Sequence, residues 1–342
     1  MSLLDVYEYE LPKGFIASAP AEPRDSARLF VYDTKTDTVT FDHFYNLSKY
    51  LPEGSLLVLN TTKVVPARVK MRKESGGIAE VLFLVNEVRK DGLVPCITDR
   101  KLNIGTTVMF PNGKAFMVRS QEEERFFLAP QFSAEELPEL LLKYGTTPIP
   151  KYIKENPLPE DALRERYQTI FAETPASVAA PTASLHFTER VFRSLAEKQI
   201  THVPVTLHVG LGTFAPVKDE NIAEKKLHNE WFEIPEASVA AIRESKKKGN
   251  SVVAVGTTVV RTLESAARGA NGATDIFIFP PFEFKTVDVL ITNFHVPKSS
   301  LMMLVDAFLK YKGAKRGILD LYAIAMKENF RFYSFGDAMV II

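Results

Sequence analysis

Between about residues 67 and 130, short apolar runs rich in Val, Ile and Phe alternate with polar turns that contain glycine. No helical period lies between the turns, and the clearest hairpin signal is Asn112-Gly113. Strands separated by such turns are typical of a compact antiparallel structure. The pattern therefore predicts a small antiparallel β-barrel or sandwich.

Beyond about residue 146 the pattern changes to apolar, β-branched runs that alternate with helical patterns. The strand-like runs cover 176–185, 200–213, 251–257 and 287–293, and the helical patterns cover 189–198, 237–248, 259–267 and 301–310. Gly249 lies where a helix C-cap belongs, and Ser299 or Ser300 can N-cap the last helix. This alternation predicts an α/β sheet that is covered on both faces.

The order of these segments predicts a nested organisation. Another strand-like run, 56–59, precedes the barrel-like region. We therefore predict one discontinuous α/β domain, residues 1–60 and 150–342, interrupted by an inserted β-barrel domain at 61–149. The length of 342 residues agrees with two structural units.

Composition and charge narrow the class of protein. Hydrophobic residues make up 46% and charged residues 25% of the chain, which excludes disorder, collagen and a coiled coil as whole-chain descriptions. With 42 basic and 42 acidic residues, no overall field attracts nucleic acid or an anionic membrane, so a polyanion must be bound by a local patch. The sole cysteine, Cys96, excludes a disulfide framework and fits a reducing compartment.

Nothing in the sequence predicts export or membrane insertion. The acidic N-terminus lacks the apolar core of a signal peptide, and the most apolar helical stretch, 301–309, is interrupted by Asp306 and is too short to span a bilayer. No long amphipathic zipper is visible. We expect a cytoplasmic protein without a membrane partner, and a monomer.

Three of the six histidines share one kind of sequence context. His186, His208 and His295 each lie within or at the end of an apolar, strand-like run. Ligands of open α/β sheets bind at the carboxyl ends of strands, where a histidine can act as a general acid or base. Each histidine could instead be a satisfied, partly buried core residue. A three-histidine zinc site is an alternative that no His-x-His or His-Glu-x-x-His spacing supports, so no metal is expected.

A strand, a tight turn at Gly256-Thr257-Thr258 and a helix are predicted in succession. The N-terminus of a helix offers free backbone N–H groups to a carboxylate or phosphate. The turn lacks the dinucleotide-binding and P-loop fingerprints. Arg261 and Glu264 lie three residues apart on the following helix, where they either pair with each other or contact a ligand. The short glycine pattern at Gly210 and Gly212 is too brief to carry meaning alone.

Basic residues cluster at the start of the predicted barrel. Strand alternation places Arg68, Lys70 and Arg72 on one face, with Lys63 close by in the sequence. A run of charges is usually a solvated face, as we interpret the lysines at 246–248 that end a helix. The Arg68 run, at a domain junction, is the better candidate for a nucleic-acid patch.

Several short blocks, in this order and spacing, point to a known family. They are Glu22-Pro23-Arg24-Asp25, Lys63-Val64-Val65-Pro66-Ala67-Arg68, Arg166-Tyr167-Gln168-Thr169, 178–188, 208–214, 255–264, 292–299 and Gly336-Asp337-Ala338-Met339. Over nearly its whole length the chain resembles the S-adenosylmethionine:tRNA ribosyltransferase-isomerase family of queuosine biosynthesis. The resemblance implies an α/β domain interrupted by a β-barrel.

The resemblance also implies a reaction. The ribose of S-adenosylmethionine is transferred and isomerised onto 7-aminomethyl-7-deazaguanine in the tRNA anticodon, and epoxyqueuosine-tRNA, adenine and methionine are released. S-adenosylmethionine is then a ribosyl donor and co-substrate, and no prosthetic group is expected. The implied partners are S-adenosylmethionine and the anticodon arm of a tRNA.

With this chemistry in view, each candidate residue receives a role. His186, His208 and His295 are the acid/base candidates, and Asp25 or Asp337 would face positive charge. The predicted S-adenosylmethionine contacts are Thr182, Gly210, Gly212, Thr257, Thr258, Arg261 and Glu264. Arg24, Lys63 and Arg68 would meet anticodon phosphates, and Tyr167 and Phe187 would stack on a base.

The chain departs from the family pattern at several positions. Thr61 stands where the family usually has Asp, Ser184 replaces a usual Gly and Lys225 a usual His. Thr61 therefore cannot act as a carboxylate, and Lys225 cannot act as an imidazole base. None of these departures removes the three histidines or the Gly-Thr-Thr turn.

Two function classes remain as alternatives. A tRNA methyltransferase would use S-adenosylmethionine but release S-adenosylhomocysteine, and its usual glycine-rich loop after the first strand is not evident. A non-catalytic RNA-binding module would read RNA with the barrel and would not need the histidines.

Overall fold

The computed structural model describes residues 3–87, 89, 91–210 and 217–342. Its strands are β1 (Arg28–Asp33), β2 (Thr38–His43), β3 (Leu56–Asn60), β4 (Thr62–Val64), β5 (Arg68–Lys73), β6 (Ile78–Phe83), β7 (Val94–Thr98), β8 (Thr107–Met109), β9 (Ala115–Glu122), β10 (Arg125–Pro130), β11 (Thr174–Ser177), β12 (Thr201–Leu207), β13 (Lys226–Glu233), β14 (Val252–Val255), β15 (Ala273–Ile276), β16 (Val289–Asn293) and β17 (Ala338–Ile341). Its α-helices are α1 (Leu137–Tyr144), α2 (Glu160–Arg166), α3 (Glu189–Glu197), α4 (Asp219–Glu224), α5 (Glu236–Lys247), α6 (Thr257–Ala266), α7 (Ser300–Tyr311) and α8 (Ile318–Lys327).

Among the described residues, the larger unit is built on a nine-stranded sheet in the order β15-β13-β12-β3-β14-β16-β17-β1-β2. The central strands β12, β3, β14 and β16 are parallel to one another. Alternate residues of these apolar strands face opposite ways: Val58 packs with the side of α6, α7 and α8, and Leu57 packs with the side of α3. The predicted sheet with two covered faces is confirmed.

The six strands β5 to β10 close into an antiparallel barrel in the order β10-β7-β6-β5-β8-β9. Its core contains Phe83, Phe110 and Phe116, and α1 packs its leucines into the same core. The hairpin predicted at Asn112-Gly113 joins β8 and β9, with Gly113 at φ +88°. The predicted α/β fold with an inserted barrel is confirmed, whereas the boundaries at 61 and 149 stay a prediction.

The four predicted helices are present as α3, α5, α6 and α7, and their ends lie within two residues of the predicted positions. Gly249 follows α5 at φ +77°, and the Ser299 hydroxyl accepts the backbone N–H of Met302 at 3.2 Å, which caps α7. The strand predicted at 176–185 is wrong beyond Ser177. Ser177 Oγ bonds to the backbone of Ala179, and Pro181 lacks the N–H that a strand ladder needs, so the chain turns away.

In the part of the chain that the structure describes, no helix is both long and apolar enough to cross a bilayer.

Candidate active site

The carboxyl ends of the parallel strands β12, β3, β14 and β16 meet at one edge of the sheet. Asn60 ends β3 and joins three elements there. Its Oδ1 accepts the N–H of Thr62 and of Leu207, and its Nδ2 donates to the Leu207 carbonyl at 3.0 Å and to Thr258 Oγ1 at 3.2 Å. One buried amide thus fixes the ends of β3 and β12 against the start of α6, which gives this edge a defined shape.

Two cavities open side by side at this edge, and we call them together the cleft. The polar lobe, about 50 Å³, lies at the start of α6 and is lined by Gly256, Thr257, Thr258, Arg261 and Val209. The aromatic lobe, about 90 Å³, is lined by Tyr152, Tyr167, Phe294, Tyr333, Ser334 and Pro150. Both lobes share Ala180, Thr182, Asn293, His295 and Leu301. A small-molecule site usually holds about 300–1,000 Å³, so each lobe as it stands is smaller than a typical ligand site.

The polar lobe contains groups suited to an anion. Gly256 precedes α6 at φ +93°, a conformation that favours glycine, and this turn presents the first N–H groups of a ten-residue helix to the lobe. Arg261, one turn further along, lines the same lobe. Its Nη2 is buried and has no hydrogen-bond partner among the described residues. An incoming carboxylate would satisfy that donor.

His295 lies on the wall that the two lobes share, just beyond the end of β16. Its Nε2 is 2.8 Å from Thr292 Oγ1, and its backbone N–H donates to the Tyr322 hydroxyl at 2.7 Å. Burial lowers the pKa of His295 to about 3, so its imidazole is neutral at pH 7. A neutral imidazole beside a ligand can accept a proton.

His186 lies behind the wall of the cleft rather than on it. Its Nε2 is 3.5 Å from Nδ2 of Asn293, whose Oδ1 accepts the Thr182 hydroxyl at 2.8 Å. Burial lowers the pKa of His186 to about 4, although the nearby Asp337 acts in the opposite direction. His186 therefore reaches the cleft through Asn293, which contacts both lobes.

His208 lies outside the residues that line the cleft. Its Nδ1 is 2.8 Å from the hydroxyl of Thr62, and its ring stacks on Trp231 at 5.0 Å between centroids and 15° between planes. Burial lowers its pKa to about 4. The three histidines predicted as one group are thus in three different environments, and His295 is the one on the cleft wall.

The two predicted aspartates are each bound by an arginine. Asp25 accepts hydrogen bonds from Arg190 Nε and Nη2, at 2.9 and 2.7 Å, and Asp337 accepts 3.2 and 3.0 Å bonds from Arg331. Burial alone would raise the pKa of Asp25, but the bonds from Arg190 and Thr188 outweigh it and lower that pKa. The positive charges these carboxylates face are arginines, which corrects their expected role toward a substrate.

Of the two alternatives for Arg261 and Glu264, pairing with each other is not the one that the structure shows. Arg261 Nη1 forms its ion pair with Glu230, and Glu264 pairs with Arg268 at 2.7 Å. The Glu264 carboxylate also accepts the backbone N–H groups of residues 285–287. Glu264 lines neither lobe, and its carboxylate holds the loop before β16 through the backbone of residues 285–287.

A larger groove lies where the barrel meets the sheet domain, and we call it the junction groove. Its volume is about 660 Å³, and the cations Arg24, Lys63 and Arg164 line it. Arg24 Nη2 donates to the Glu165 carbonyl at 2.8 Å, and its Nη1 donates to that of Gln168, so this guanidinium holds the end of α2. Lys63 is exposed on β4. Of the predicted phosphate contacts, Lys63 is the one placed to meet a polyanion.

Arg68 on β5 links the barrel to the chain segment that follows it. Its Nη2 donates to the Ile149 carbonyl at 3.0 Å, its Nε is 3.6 Å from Glu80 Oε1, and its side chain is 20% exposed. The predicted alternation along β5 is confirmed, because Lys70 and Arg72 are exposed on the Arg68 face. The Nη2 and Nε atoms of Arg68 contact protein oxygens, and its phosphate contact stays a prediction.

The two aromatic candidates differ in accessibility. Tyr167 is buried but lines the aromatic lobe, with its ring packed edge-on against Phe335. Phe187 is fully buried and packs against Phe44 and Phe192 on the α3 side of the sheet, so its predicted base stacking is wrong. An apolar ring next to a polar segment is ambiguous in sequence, and packing here places it in the core.

Comparison with known proteins now identifies the family. The model of the family described as queuosine biosynthesis protein matches residues 4–341. The chain belongs to this family. Relatives named S-adenosylmethionine:tRNA ribosyltransferase-isomerase include those of Thermotoga maritima, 42% identical over 98% of both chains, and of Thermosipho melanesiensis and Carboxydothermus hydrogenoformans, each 45% identical over 100% of both. A crystal structure of the S-adenosylmethionine tRNA ribosyltransferase from Thermotoga maritima is also similar, with a TM-score of 0.54, 33% identity and coverage of 98% of this chain and 99% of that one.

In this member of the queuosine biosynthesis family, two glycines were predicted to contact S-adenosylmethionine, and the structure describes one of them, Gly210. The backbone N–H of Gly210 donates to Glu230 Oε1 at 3.1 Å, and an added Cβ would come within 2.6 Å of Glu87 Oε1. Gly210 therefore permits close approach of the barrel turn at 85–87. Gly212 lies outside the described residues.

Sequence reasoning missed three polar residues that shape the site, namely Asn60, Asn293 and Glu230. Both asparagines end buried, otherwise apolar strands. That position was a readable signal, because a polar residue at the carboxyl end of a parallel strand faces the ligand edge. Glu230 gave no such signal. Among the described residues, no group of three or more His, Cys, Asp or Glu is arranged to hold a metal ion.

Proposed function

We propose that this protein is an S-adenosylmethionine:tRNA ribosyltransferase-isomerase. It would transfer the ribose of S-adenosylmethionine onto 7-aminomethyl-7-deazaguanine in a tRNA anticodon, giving epoxyqueuosine-tRNA, adenine and methionine. Family membership and the names of the relatives support the reaction class. The observation that carries the proposal within the structure is the two-lobed cleft, with an anion site at one end, aromatic rings at the other and neutral His295 between them.

The polar lobe would hold the methionine end of the substrate. A carboxylate placed at the start of α6 can accept backbone N–H groups of the Gly256-Thr257-Thr258 turn and a bond from Arg261 Nη2. The donor is charged and buried, so this contact is stronger than one between neutral groups. The position of the carboxylate then directs the rest of the molecule toward Thr182, Asn293 and His295.

The aromatic lobe would take the nucleobase end. Tyr152 and Tyr333, whose centroids are 4.8 Å apart, line this lobe together with Tyr167. Aromatic faces stack on purines, and the Ser334 hydroxyl and Asn293 amide provide hydrogen-bonding groups at its edge. With the methionine in one lobe and adenine in the other, the ribose lies at the shared wall.

At that wall His295 would act as the initiating base. The positive sulfonium acidifies the adjacent carbon, and neutral His295 takes its proton. Adenine then leaves, the aminomethyl nitrogen of the deazaguanine attacks, and methionine departs as the epoxide closes. Thr292 holds Nε2 of His295, and His186 is the second candidate for proton transfer, acting beside Asn293.

The tRNA would approach through the junction groove. Lys63 follows Asn60 by three residues, so the chain between them spans at most about 11 Å, which brings the groove close to the edge that carries the cleft. Phosphate contacts position a nucleic acid, and a confined cationic groove suits a protein with no net charge.

An assay of products tests the proposal. The purified protein is incubated with S-adenosylmethionine and tRNA that carries the aminomethyl-deazaguanine, and adenine and methionine are measured by chromatography. We expect both in equal amounts, and only with the modified tRNA. Release of S-adenosylhomocysteine instead would indicate methyl transfer, and tRNA binding without any product would indicate an RNA-binding module. Either result contradicts the proposal.

We also propose that the enzyme works as a cytoplasmic monomer. Its sole cysteine, Cys96, is free and buried in the barrel, which agrees with a reducing compartment. Light scattering of the purified protein at assay concentrations tests the oligomeric state.

A further inference from the structure

Glu230 is a buried acid on β13 that forms an ion pair with Arg261. Burial along β13 shows that residues 230 and 232 face inward while 229, 231 and 233 face outward. The side chains of Glu230 and Arg261 are 1% and 7% exposed. Such a pair is seldom retained for stability alone, because removing both charges from water costs about as much as their attraction returns.

The pair leaves one edge of Arg261 free. Nη1 donates to Glu230, and Nε donates to the Ile276 carbonyl at 3.3 Å. Nη2 has no partner among the described residues, and Arg261 lines the polar lobe. Because the guanidinium is planar and rigid, fixing two of its nitrogens fixes the direction of the third.

Glu230 also holds the opposite side of the lobe. Its Oε1 accepts the backbone N–H of Gly210 at 3.1 Å, and the preceding residue, Val209, lines the polar lobe. One carboxylate thus connects the segment after β12 to the Arg261 side chain on α6. Loss of this connection would release both walls of the lobe.

The charge of Glu230 has a second consequence. S-adenosylmethionine carries a sulfonium and an ammonium against one carboxylate, so its net charge is positive. An unpaired arginine would attract the carboxylate but repel the sulfonium. The Glu230–Arg261 pair has no net charge, so the lobe can donate hydrogen bonds to the carboxylate without repelling the cation.

We propose that Glu230 is a positioning and specificity-determining residue. It aims Arg261 Nη2 at the methionine carboxylate, and its negative charge cancels that of Arg261, so that the lobe does not disfavour the cationic sulfonium relative to a neutral thioether. This rests on the proposed function, namely that the cleft binds S-adenosylmethionine.

The test compares the Kd of S-adenosylmethionine with that of S-adenosylhomocysteine, its neutral thioether analogue, by calorimetry. Glu230→Gln keeps the shape and an acceptor but removes the charge. We expect it to lower the preference for S-adenosylmethionine about 3- to 10-fold. Glu230→Ala also removes the support of Arg261 and Gly210, so both Kd values should rise about 10-fold or more.

Asp306→Asn provides a matched control. Asp306 is also buried, accepts the Tyr7 hydroxyl at 2.9 Å and pairs with Lys310, but it lines neither lobe. The control should lose stability and keep the wild-type ligand preference. If folded Glu230→Gln keeps that preference within twofold, the specificity role is wrong, even if Glu230→Ala does not fold. If the wild type binds neither ligand, the proposed function itself fails.

Discussion

The cleft and the junction groove differ in nearly every physical property. The cleft is small, and polar side chains that line it, such as Thr182 and Asn293, bond to each other. The junction groove is larger and more open, and its lining combines cations such as exposed Lys63 with the acids Asp161 and Glu165. The first arrangement orients a small molecule in a low-dielectric site, whereas the second attracts a polyanion without selecting its details. Chemistry and tRNA binding should therefore be separable by mutation.

The strongest test of this difference between the cleft and the groove is to remove the proposed proton acceptor, His295, from the cleft wall. His295→Gln keeps a side chain that can bond to Thr292 but cannot take a proton at neutral pH. We expect kcat for adenine release to fall about 10²- to 10⁴-fold, while the Kd of S-adenosylmethionine and the KM for tRNA change little. Single-turnover assays with both substrates saturating measure the effect.

His43→Gln is the control for that variant, because His43 is exposed, lies on the edge strand β2 and lines neither lobe of the cleft. A His295→Gln enzyme with near-wild-type kcat would remove His295 as the base. His208→Gln should have a smaller effect than His295→Gln, since His208 lies outside the cleft lining and is stacked on Trp231.

A second prediction concerns how the stability of the folded protein depends on pH through its buried histidines. Burial lowers the pKa of His186 and of His208 to about 4, and that of His295 to about 3, against an ordinary value of 6.5. Below pH 6.5 the histidines of the unfolded chain bind protons that the same buried histidines exclude in the folded protein. The contribution of the three neutral, buried histidines to the free energy of unfolding is therefore complete above pH 6.5. It is lost as the pH falls toward 4 and then 3.

The expected loss is on the order of a few kcal/mol in the free energy of unfolding between pH 7 and 4.5. Urea denaturation at several pH values measures it. His295→Gln should reduce the slope in this window, because one excluded proton is then missing. A variant with an unchanged slope would show that His295 titrates normally in the folded protein.

These differences also show what sequence could and could not predict. The parallel strands were readable, because each is a continuous apolar run that is covered on both faces, as Val252–Val255 is. The start of α6 was readable from Gly256 and the two threonines after it. Both signals are local, since a strand pattern and a turn residue depend on neighbours in the chain.

The unpredicted features depend on distant partners. Glu230 meets Arg261 only because β13 pairs beside β12, and Asp25 is neutralised by Arg190, 165 residues further along the chain. Phe187 is buried because three other aromatic rings converge on it. The strands β1, β2 and β17 and the helix α8 were also missed, although β1 and β17 are buried, mostly apolar runs.

A third prediction concerns how the cleft holds the methionine end. Arg261→Lys keeps a positive charge for Glu230 but replaces the planar fork with a single ammonium. The lysine can bond to Glu230 or reach the ligand, but it cannot do both in the geometry of Arg261. We expect the KM for S-adenosylmethionine to rise about 10- to 100-fold with the KM for tRNA unchanged.

Steady-state kinetics with each substrate varied in turn give both constants. Arg268→Lys is a suitable control, because Arg268 also pairs with a buried glutamate on α6, Glu264, but lies outside both lobes. If Arg261→Lys raised both KM values equally, the cleft and the groove would not be separate sites.

The smallest effect is expected in the junction groove. Lys63 would meet a phosphate, and a single contact of this kind contributes modestly and in a salt-dependent way. Lys63→Gln should raise the KM for tRNA about 2- to 5-fold and reduce the dependence of log affinity on log salt by about one unit, with the Kd of S-adenosylmethionine unchanged. Lys327→Gln, at an exposed position on α8 and outside the groove, should change neither quantity. A chain without net charge has no broad field to compensate for the loss of one local cation. An unchanged salt dependence in Lys63→Gln would therefore place the tRNA on another surface of the barrel, such as the exposed face of β5.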